Sequence, residues 1–289
     1  MRHPSWLLAA PVIFLCLWSG GYVVAKIAIQ YAEPLTTLVV RYALVVLSMG
    51  ALMVVLRPPL PRTLVDWGHL AVVGILIQAF YFGATYLAFR DGVASGTVAL
   101  IMSLQPIIVA LVAPFWADEQ VGLRRWGGLV LGLLGAALVI AARWQISAPS
   151  AFGLGLCAVA LAGITGATLW EKRFGLSHHP VTASLVGFAA GLAVILPFAL
   201  VLESQRIDWT WAFGGAMAYL VIGNSLIATS LLLAMIRFGK VASVSALMFL
   251  VPPGASILAW IVLGEVMPPL AWIGMALAGV GVWIVTRPG

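Results

Sequence analysis

A stripe of polar and aromatic residues lies within one long apolar stretch of the sequence, between residues 66 and 89. Gln78, Tyr81, Phe82 and Thr85 are spaced at i, i+3, i+4 and i+7, which is one face of a helix. Amide and hydroxyl groups on such a face can bind the polar end of a small solute, and the rings can hold its apolar part. Ordinary helix packing around one buried amide is the alternative interpretation.

Residues of the same types occur in other apolar stretches. Asn224 follows Gln78 by 146 residues, so two amides stand at matched positions. Trp18 and Tyr22 belong to the first stretch, and Thr168 belongs to the sixth. The full predicted substrate-binding set is Trp18, Tyr22, Gln78, Tyr81, Phe82, Thr85, Met102, Thr168, Asn224, Ser245 and Phe249.

Two prolines also stand at matched positions inside apolar stretches, Pro106 and Pro252. A proline within a membrane helix removes one backbone hydrogen bond and permits a kink. We therefore predict that both are gating positions. A kink with a purely structural role fits the sequence equally well.

The composition tells what kind of elements must carry these residues. Hydrophobic residues make up 63% of the 289 positions and charged residues only 8%, whereas soluble domains carry about 25% charged residues. A chain with so little charge could not cover its surface in water, so lipid is its predicted solvent. The sequence contains no long basic run, and nucleic-acid binding is therefore not expected.

Apolar segments long enough to cross a bilayer recur along the whole chain. They are predicted at 6–30, 35–56, 66–89, 94–115, 126–143, 151–171, 180–202, 211–235, 242–264 and 270–286. Most Lys and Arg residues fall in the connections on one side, which predicts that both termini are cytoplasmic. The predicted fold class is thus an all-α integral membrane protein with ten transmembrane helices.

The two halves of the chain resemble each other at an offset of 146 residues. Lys26 matches Lys172, Pro34 matches Pro180, and Trp126 matches Trp272. We predict two five-helix repeats, residues 1–145 and 146–289, that form one transport domain. Because five is odd, the second repeat must be inverted in the membrane, an arrangement found in secondary carriers with a midplane substrate site.

The predicted helices contain almost no charge near their centres. No Asp or Glu lies near the middle of any of them, so the predicted passage is neutral and suits zwitterionic or amphipathic solutes. Arg41 is an exception within the second helix. A charge inside a membrane helix is a functional candidate, but snorkelling or pairing with helix-end carbonyls explains it equally well, and we do not assign it to the substrate.

Several classes of activity lack their motifs. The sequence has no phosphate-binding loop and no metal-ligand spacing, so we predict neither a cofactor nor a metal site. No nucleophile and base converge at one depth, which argues against an enzyme. The Gly128-x-x-x-Gly132 and Gly274-x-x-x-Ala278 patterns permit close helix packing within or between chains, which leaves a non-catalytic membrane assembly subunit as an alternative.

Taken together, the motifs of both halves resemble the EamA-type carriers of the drug/metabolite transporter superfamily. The motifs are Trp18-Ser19-Gly20 with Lys26, Arg41-Tyr42, the Ala-Ser starts at Ala94 and Ala242, Pro106 and Pro252, and Glu119 and Glu265 before a Gly-rich helix. The resemblance implies export of amino acids or related metabolites across a bacterial inner membrane. An exporter of drug-like amphipathic compounds is the alternative. The expected partners are a small-molecule substrate and the bilayer, and the expected state is a monomer.

Overall fold

A computed structural model describes residues 6–116, 122–144, 150–175, 178–238, 247–264 and 268–286. This part of the chain is helical apart from its connections and one isolated β-bridge between Ala32 and Ile207. The helices before residue 145 are α1 (Trp6–Ala28), α2 (Pro34–Leu56), α3 (Leu64–Arg90), α4 (Ser95–Ser103 and Gln105–Trp116) and α5 (Leu123–Trp144).

The helices after residue 145 follow the same order. They are α6 (Ala151–Phe174), α7 (Pro180–Leu202), α8 (211–238), a short 3₁₀ turn at Leu247–Leu250 that leads into α9 (Val251–Leu263), and α10 (Pro269–Thr286).

Seven of the described helices are long and apolar enough to cross a membrane, namely α1 to α4 and α6 to α8. The described parts of α9 and α10 are apolar but shorter. Large aliphatic side chains such as Val54, Val55 and Val201 are exposed along the long helices, as expected where lipid is the solvent. The chain is therefore a multi-pass membrane protein, while the predicted number of ten spans stays a prediction.

Matched interruptions occur in the two halves. Residues Ile75–Gly83 of α3 and Tyr219–Ala228 of α8 are wound as π-helix, a conformation that occurs frequently at functional sites. Helix α4 breaks at Leu104, directly before Gln105-Pro106, and α9 begins at Val251, directly before Pro252. Since proline lacks an N–H, each break stands where the backbone cannot continue its hydrogen bonding.

Helix α2 packs along its repeat counterpart α7, and the two run in opposite directions. At one end, the backbone N–H of Thr36 donates to the Glu203 carboxylate at 2.7 Å. At the other end, the hydroxyl of Thr182 donates to the carbonyl of Pro59 at 3.3 Å. We call these two ends of the molecule the Glu33 end and the His69 end, after residues that each contains.

Helices α5 and α10 are also counterparts that pack tightly in opposite directions. A Cβ on Gly128 would lie 2.9 Å from the carbonyl oxygen of Gly281, and a Cβ on Gly135 would lie 2.3 Å from the backbone nitrogen of Ala278. The glycines therefore permit close packing between helices of the same chain, which was one of the two readings of these motifs.

Candidate functional site

Aromatic residues of α1 and α3 meet between the two ends of the molecule. The hydroxyl groups of Tyr22 and Tyr81 share a hydrogen bond of 2.7 Å. The ring of Trp18 lies 6.3 Å from that of Tyr81, nearly parallel to it, and 6.1 Å from that of Phe82. All four side chains are buried, so the structure brings together four of the predicted substrate-binding residues.

Arg41 of α2 lies next to these rings, completely buried. Its Nε donates to the Ser225 hydroxyl at 2.8 Å, Nη1 to the Tyr86 hydroxyl at 3.2 Å, and Nη2 to Oδ1 of Asn224 at 2.6 Å. The guanidinium also lies over the ring of Phe82, 4.5 Å from its centroid. We call the eight residues of this group the Arg41 cluster: Trp18, Tyr22, Arg41, Tyr81, Phe82, Tyr86, Asn224 and Ser225.

This position of Arg41 differs from both structural readings of the sequence. The side chain neither snorkels to an interface nor pairs with helix-end carbonyls; it bonds to side chains of α3 and α8. The predicted neutral passage therefore has one formal charge beside its predicted binding residues. The presence of Arg41 in a membrane segment was the signal available in the sequence. Its partners could not be predicted, because they lie up to 184 residues away along the chain.

Asn224 connects three helices at this point. Its Oδ1 accepts from Arg41, and its Nδ2 donates to the carbonyl of Leu17 at 3.3 Å. Gly21 permits this approach, because a Cβ there would lie only 2.4 Å from Nδ2 of Asn224. The amide is therefore already bonded on both sides within the protein.

Gln78, the counterpart of Asn224 in the first half, differs from it in its hydrogen bonds. Its backbone carbonyl accepts a hydrogen bond from the Tyr42 hydroxyl at 2.7 Å, and its side chain packs where Gly191 lacks a Cβ. Its side-chain oxygen is buried and has no hydrogen-bond partner in the described structure, and the same is true of the Thr85 hydroxyl. Buried polar atoms are rarely left unpaired, so both atoms are candidates for contact with a ligand.

The remaining predicted residues lie elsewhere or outside the description. Thr168 accepts a hydrogen bond of 2.8 Å from Gln105 of α4 and donates to the carbonyl of Ile164 in its own helix. Met102 is buried in the core. Ser245 lies outside the described residues, and of Phe249 only the backbone is described.

Ionic contacts that were not predicted from the sequence join α2, α3 and α7 at the Glu33 end. The buried Glu203 carboxylate at the end of α7 accepts hydrogen bonds from the backbone N–H groups of Leu35 and Thr36 at the start of α2. Carboxylates are stabilised at helix N-termini by the helix dipole. Arg90 lies 3.8 Å from Glu203 and 3.6 Å from Glu33, and so connects α3 to both acids.

Glu33 itself pairs with the residue that follows Glu203. Both the backbone N–H and the hydroxyl of Ser204 donate to Oε2 of Glu33, at 2.5 and 2.8 Å. These bonds, the side-chain bond first, lower the pKa of the Glu33 carboxyl from its ordinary value of 4.5. A cavity of about 740 Å³ adjoins these contacts and is also lined by Lys26, Gln30 and Arg206.

Aromatic contacts join α3, α4 and α6 at the His69 end. The indole N–H of Trp170 donates to Nδ1 of His69 at 3.2 Å, and the His69 ring stacks on Phe174 at 4.9 Å. The Arg173 guanidinium lies 4.6 Å from the ring centroid of Trp116 and also donates to the backbone carbonyl of that residue. Trp170 of α6 is thus joined to α3.

Among the described residues, no group of three or more His, Cys, Asp or Glu side chains lies close enough together to hold a metal ion. The absence of a metal and of a cofactor stays a prediction.

Comparisons with known sequences identify transporters as similar to this chain. The sequence model of the EamA-like transporter family matches twice, at residues 5–141 and 150–287. The chain is 26% identical to a probable amino-acid metabolite efflux pump of Salmonella typhimurium, over 94% of this chain and 92% of the relative. It is also 26% identical to a riboflavin transporter of Vibrio cholerae, over 99% of this chain and 94% of the relative.

A solved structure titled "Crystal structure of protein" resembles the whole fold. Its TM-score is 0.79 at 17% sequence identity, and the match covers 98% of each chain. At this identity the likeness concerns the fold alone.

Proposed function

The chain belongs to the EamA-like transporter family, and from this premise we propose that it is a secondary carrier that exports amino acids or related small neutral or amphipathic metabolites by alternating access. It is a transporter and not an enzyme, as the family and the names of its relatives indicate. The observation that carries the proposal is the buried cluster around Arg41, which lies between two ends at which side chains of both repeats contact each other.

The architecture that we propose consists of ten membrane spans in two inverted repeats. The antiparallel pairing of α2 with α7 and of α5 with α10 supports inversion, because each pair consists of matched helices. The positions of Lys26 and Lys172 at opposite ends of the molecule support inversion as well. Lys26 lines the cavity at the Glu33 end, whereas Lys172 is next to Arg173 of the His69 end. Repeats of this kind offer two alternative openings to one midplane site.

The contacts at the two ends suit an alternating mechanism in which each end opens in turn. Ionic contacts join α2, α3 and α7 at the Glu33 end, and aromatic contacts join α3, α4 and α6 at the His69 end. Opening one set while the other stays closed would expose the Arg41 cluster to one side of the membrane only. The breaks before Pro106 and Pro252 lie in α4 and α9, which supports a gating role for these two helices.

The substrate class follows from the side chains in and beside the cluster. Trp18, Tyr22 and Phe82 offer ring faces to an apolar group, and the unpaired oxygen of Gln78 offers an acceptor to an ammonium group. The name of the Salmonella typhimurium relative supports an amino-acid metabolite. The name of the Vibrio cholerae relative keeps a larger amphipathic solute as the alternative.

The location that we propose is a bacterial inner membrane with both termini in the cytoplasm. The excess of Lys and Arg in the connections on that side supports this orientation. The Glu33 end then faces outward and the His69 end faces the cytoplasm.

Counterflow in proteoliposomes tests the proposed function. Purified protein should exchange labelled amino acids in a saturable manner, and Gln78→Ala should lower the rate about tenfold, as expected for a loss of ~1.4 kcal/mol of binding. Ser48→Ala is the control, because this hydroxyl bonds only to the carbonyl of Leu44 in its own helix. Flux no higher than in protein-free vesicles, across a broad panel of amino acids and amphipathic metabolites, would overturn the proposal.

A further inference from the structure

The guanidinium of Arg41 is a buried cation without an acidic partner among the described residues. Its hydrogen-bond acceptors are two hydroxyl groups and one amide oxygen, all uncharged. The buried acid Glu203 is bonded to the start of α2 and to Arg90 at the Glu33 end. Burying a charge is costly unless it is paired as well as hydrogen-bonded, so an anion is the missing partner.

The guanidinium retains donors for such an anion. Each of its three nitrogens makes one hydrogen bond to a side chain, whereas the guanidinium carries five N–H groups. One N–H therefore remains on Nη1 and one on Nη2. The planar fork of arginine matches the two oxygens of a carboxylate, and charge-assisted bonds of this kind are about twice as strong as neutral ones.

We propose that Arg41 is the subsite for the carboxylate of the transported solute; this inference rests on the proposed carrier function and specifies its substrate class. The ligand carries a single negative charge at this position, because one guanidinium surrounded by neutral groups does not balance a phosphate dianion. The rings of Trp18 and Tyr22 then contact the apolar part of the solute. Asn224 and Ser225 of α8 and Tyr86 of α3 hold the guanidinium in position.

Unmodified protein provides the first test. In counterflow, L-leucine, L-phenylalanine and L-threonine should each compete at least tenfold better than leucinamide, phenylalaninamide and threoninamide. Each pair differs only at the carboxylate, so the comparison does not depend on whether a variant folds. Equal competition by acids and amides would overturn the inference and leave the carrier function standing, whereas no flux of any probe would overturn both.

Variants provide the second test. Arg41→Gln should abolish the preference for acids over amides, and Arg41→Lys should retain part of it because it keeps the charge but loses the fork. Arg62→Gln removes the same charge from an exposed position and should leave the preference unchanged. An Arg41→Gln protein that is monodisperse in detergent and still prefers acids tenfold would also overturn the inference.

Discussion

The guanidinium of Arg41 lies among neutral side chains of α3 and α8, and this arrangement decides what can bind beside it. Asn224 supplies the shortest of its hydrogen bonds, 2.6 Å to Oδ1. The contact between Arg41 and Asn224 sets the charge balance of the cluster. A substitution that changes the charge at this contact but hardly changes the shape of the side chain is therefore the most informative test.

Asn224→Asp introduces a carboxylate at the contact with Nη2 of Arg41. We expect the fold to persist, with a midpoint of thermal unfolding close to that of the wild type, because the new ion pair is charge-assisted but the hydrogen bond from Nδ2 to the carbonyl of Leu17 is lost. Flux of amino acids should fall at least tenfold, since the internal carboxylate replaces that of the solute. Asn224→Ala, in contrast, should lower the midpoint by removing an acceptor from a buried charge. Wild-type flux in Asn224→Asp would contradict this account.

Gly74 allows α3 to approach α7 at backbone distance. A Cβ there would lie 2.3 Å from the Cα of Gly187, whereas nothing lies within 4 Å of a Cβ at Gly68 in the same helix. Gly74→Ala should therefore destabilise the protein by about 1–3 kcal/mol through overpacking. Gly68→Ala should be neutral or stabilising by up to ~1 kcal/mol, because alanine favours helix. Thermal unfolding in detergent compares the two, and equal midpoints would contradict the close approach.

At the scale of elements, Glu203 joins the end of α7 to the start of α2. Glu203→Gln removes the charge and replaces one accepting oxygen by an NH2 donor, which then faces the backbone N–H of either Leu35 or Thr36. We expect a loss of about 1.5–3 kcal/mol of stability, as for a hydrogen bond to a charged group. Asp208→Asn is the matched control, because this side chain is exposed nearby. An equally large loss of stability in Asp208→Asn would contradict the role that we assign to Glu203.

The contact between Glu33 and Ser204 at the same end should depend on pH. Because the pKa of Glu33 is lowered in the folded protein, the contact stabilises the fold above pH 4.5 and this contribution is lost as the pH falls through the lowered pKa. Ser204→Ala should therefore unfold at a lower temperature than the wild type near neutral pH, and the difference should shrink as the pH falls through the lowered pKa of Glu33. A difference that is constant with pH would contradict the assignment.

The elements themselves could be predicted because their signal is local. A membrane span needs about 20 apolar residues in a row, and the predicted segment 180–202 coincides with α7 (Pro180–Leu202). The predicted segment 94–115 is likewise close to α4, and its break was expected from Pro106. The two π-helical stretches were not predicted, since winding of this kind depends on packing and not on a hydrophobic pattern.

At the scale of the whole molecule, the sequence indicated which side chains lie close together better than it indicated which of them are bonded. Trp18, Tyr81 and Phe82 were identified because aromatic residues stand out in an apolar helix. The partners of Arg41 and Glu203 were missed, because they lie 45 to 184 residues away and no local spacing encodes them. The repeat offset nevertheless predicted that Gln78 and Asn224 would occupy corresponding segments, and both lie in matched π-helical stretches.

The proposed mechanism requires two halves that lie in the membrane in opposite orientation around the Arg41 cluster. The direct measurement is labelling with a membrane-impermeant maleimide of single cysteines at Gln30→Cys and Ser177→Cys, which follow Lys26 and Lys172 along the chain. Cys16→Ser and Cys157→Ser provide the background, and retained transport is the control for the fold. We expect labelling of Gln30→Cys in intact cells and of Ser177→Cys only after permeabilisation. Labelling of both positions from the same side would contradict the inverted architecture and, with it, the proposed mechanism.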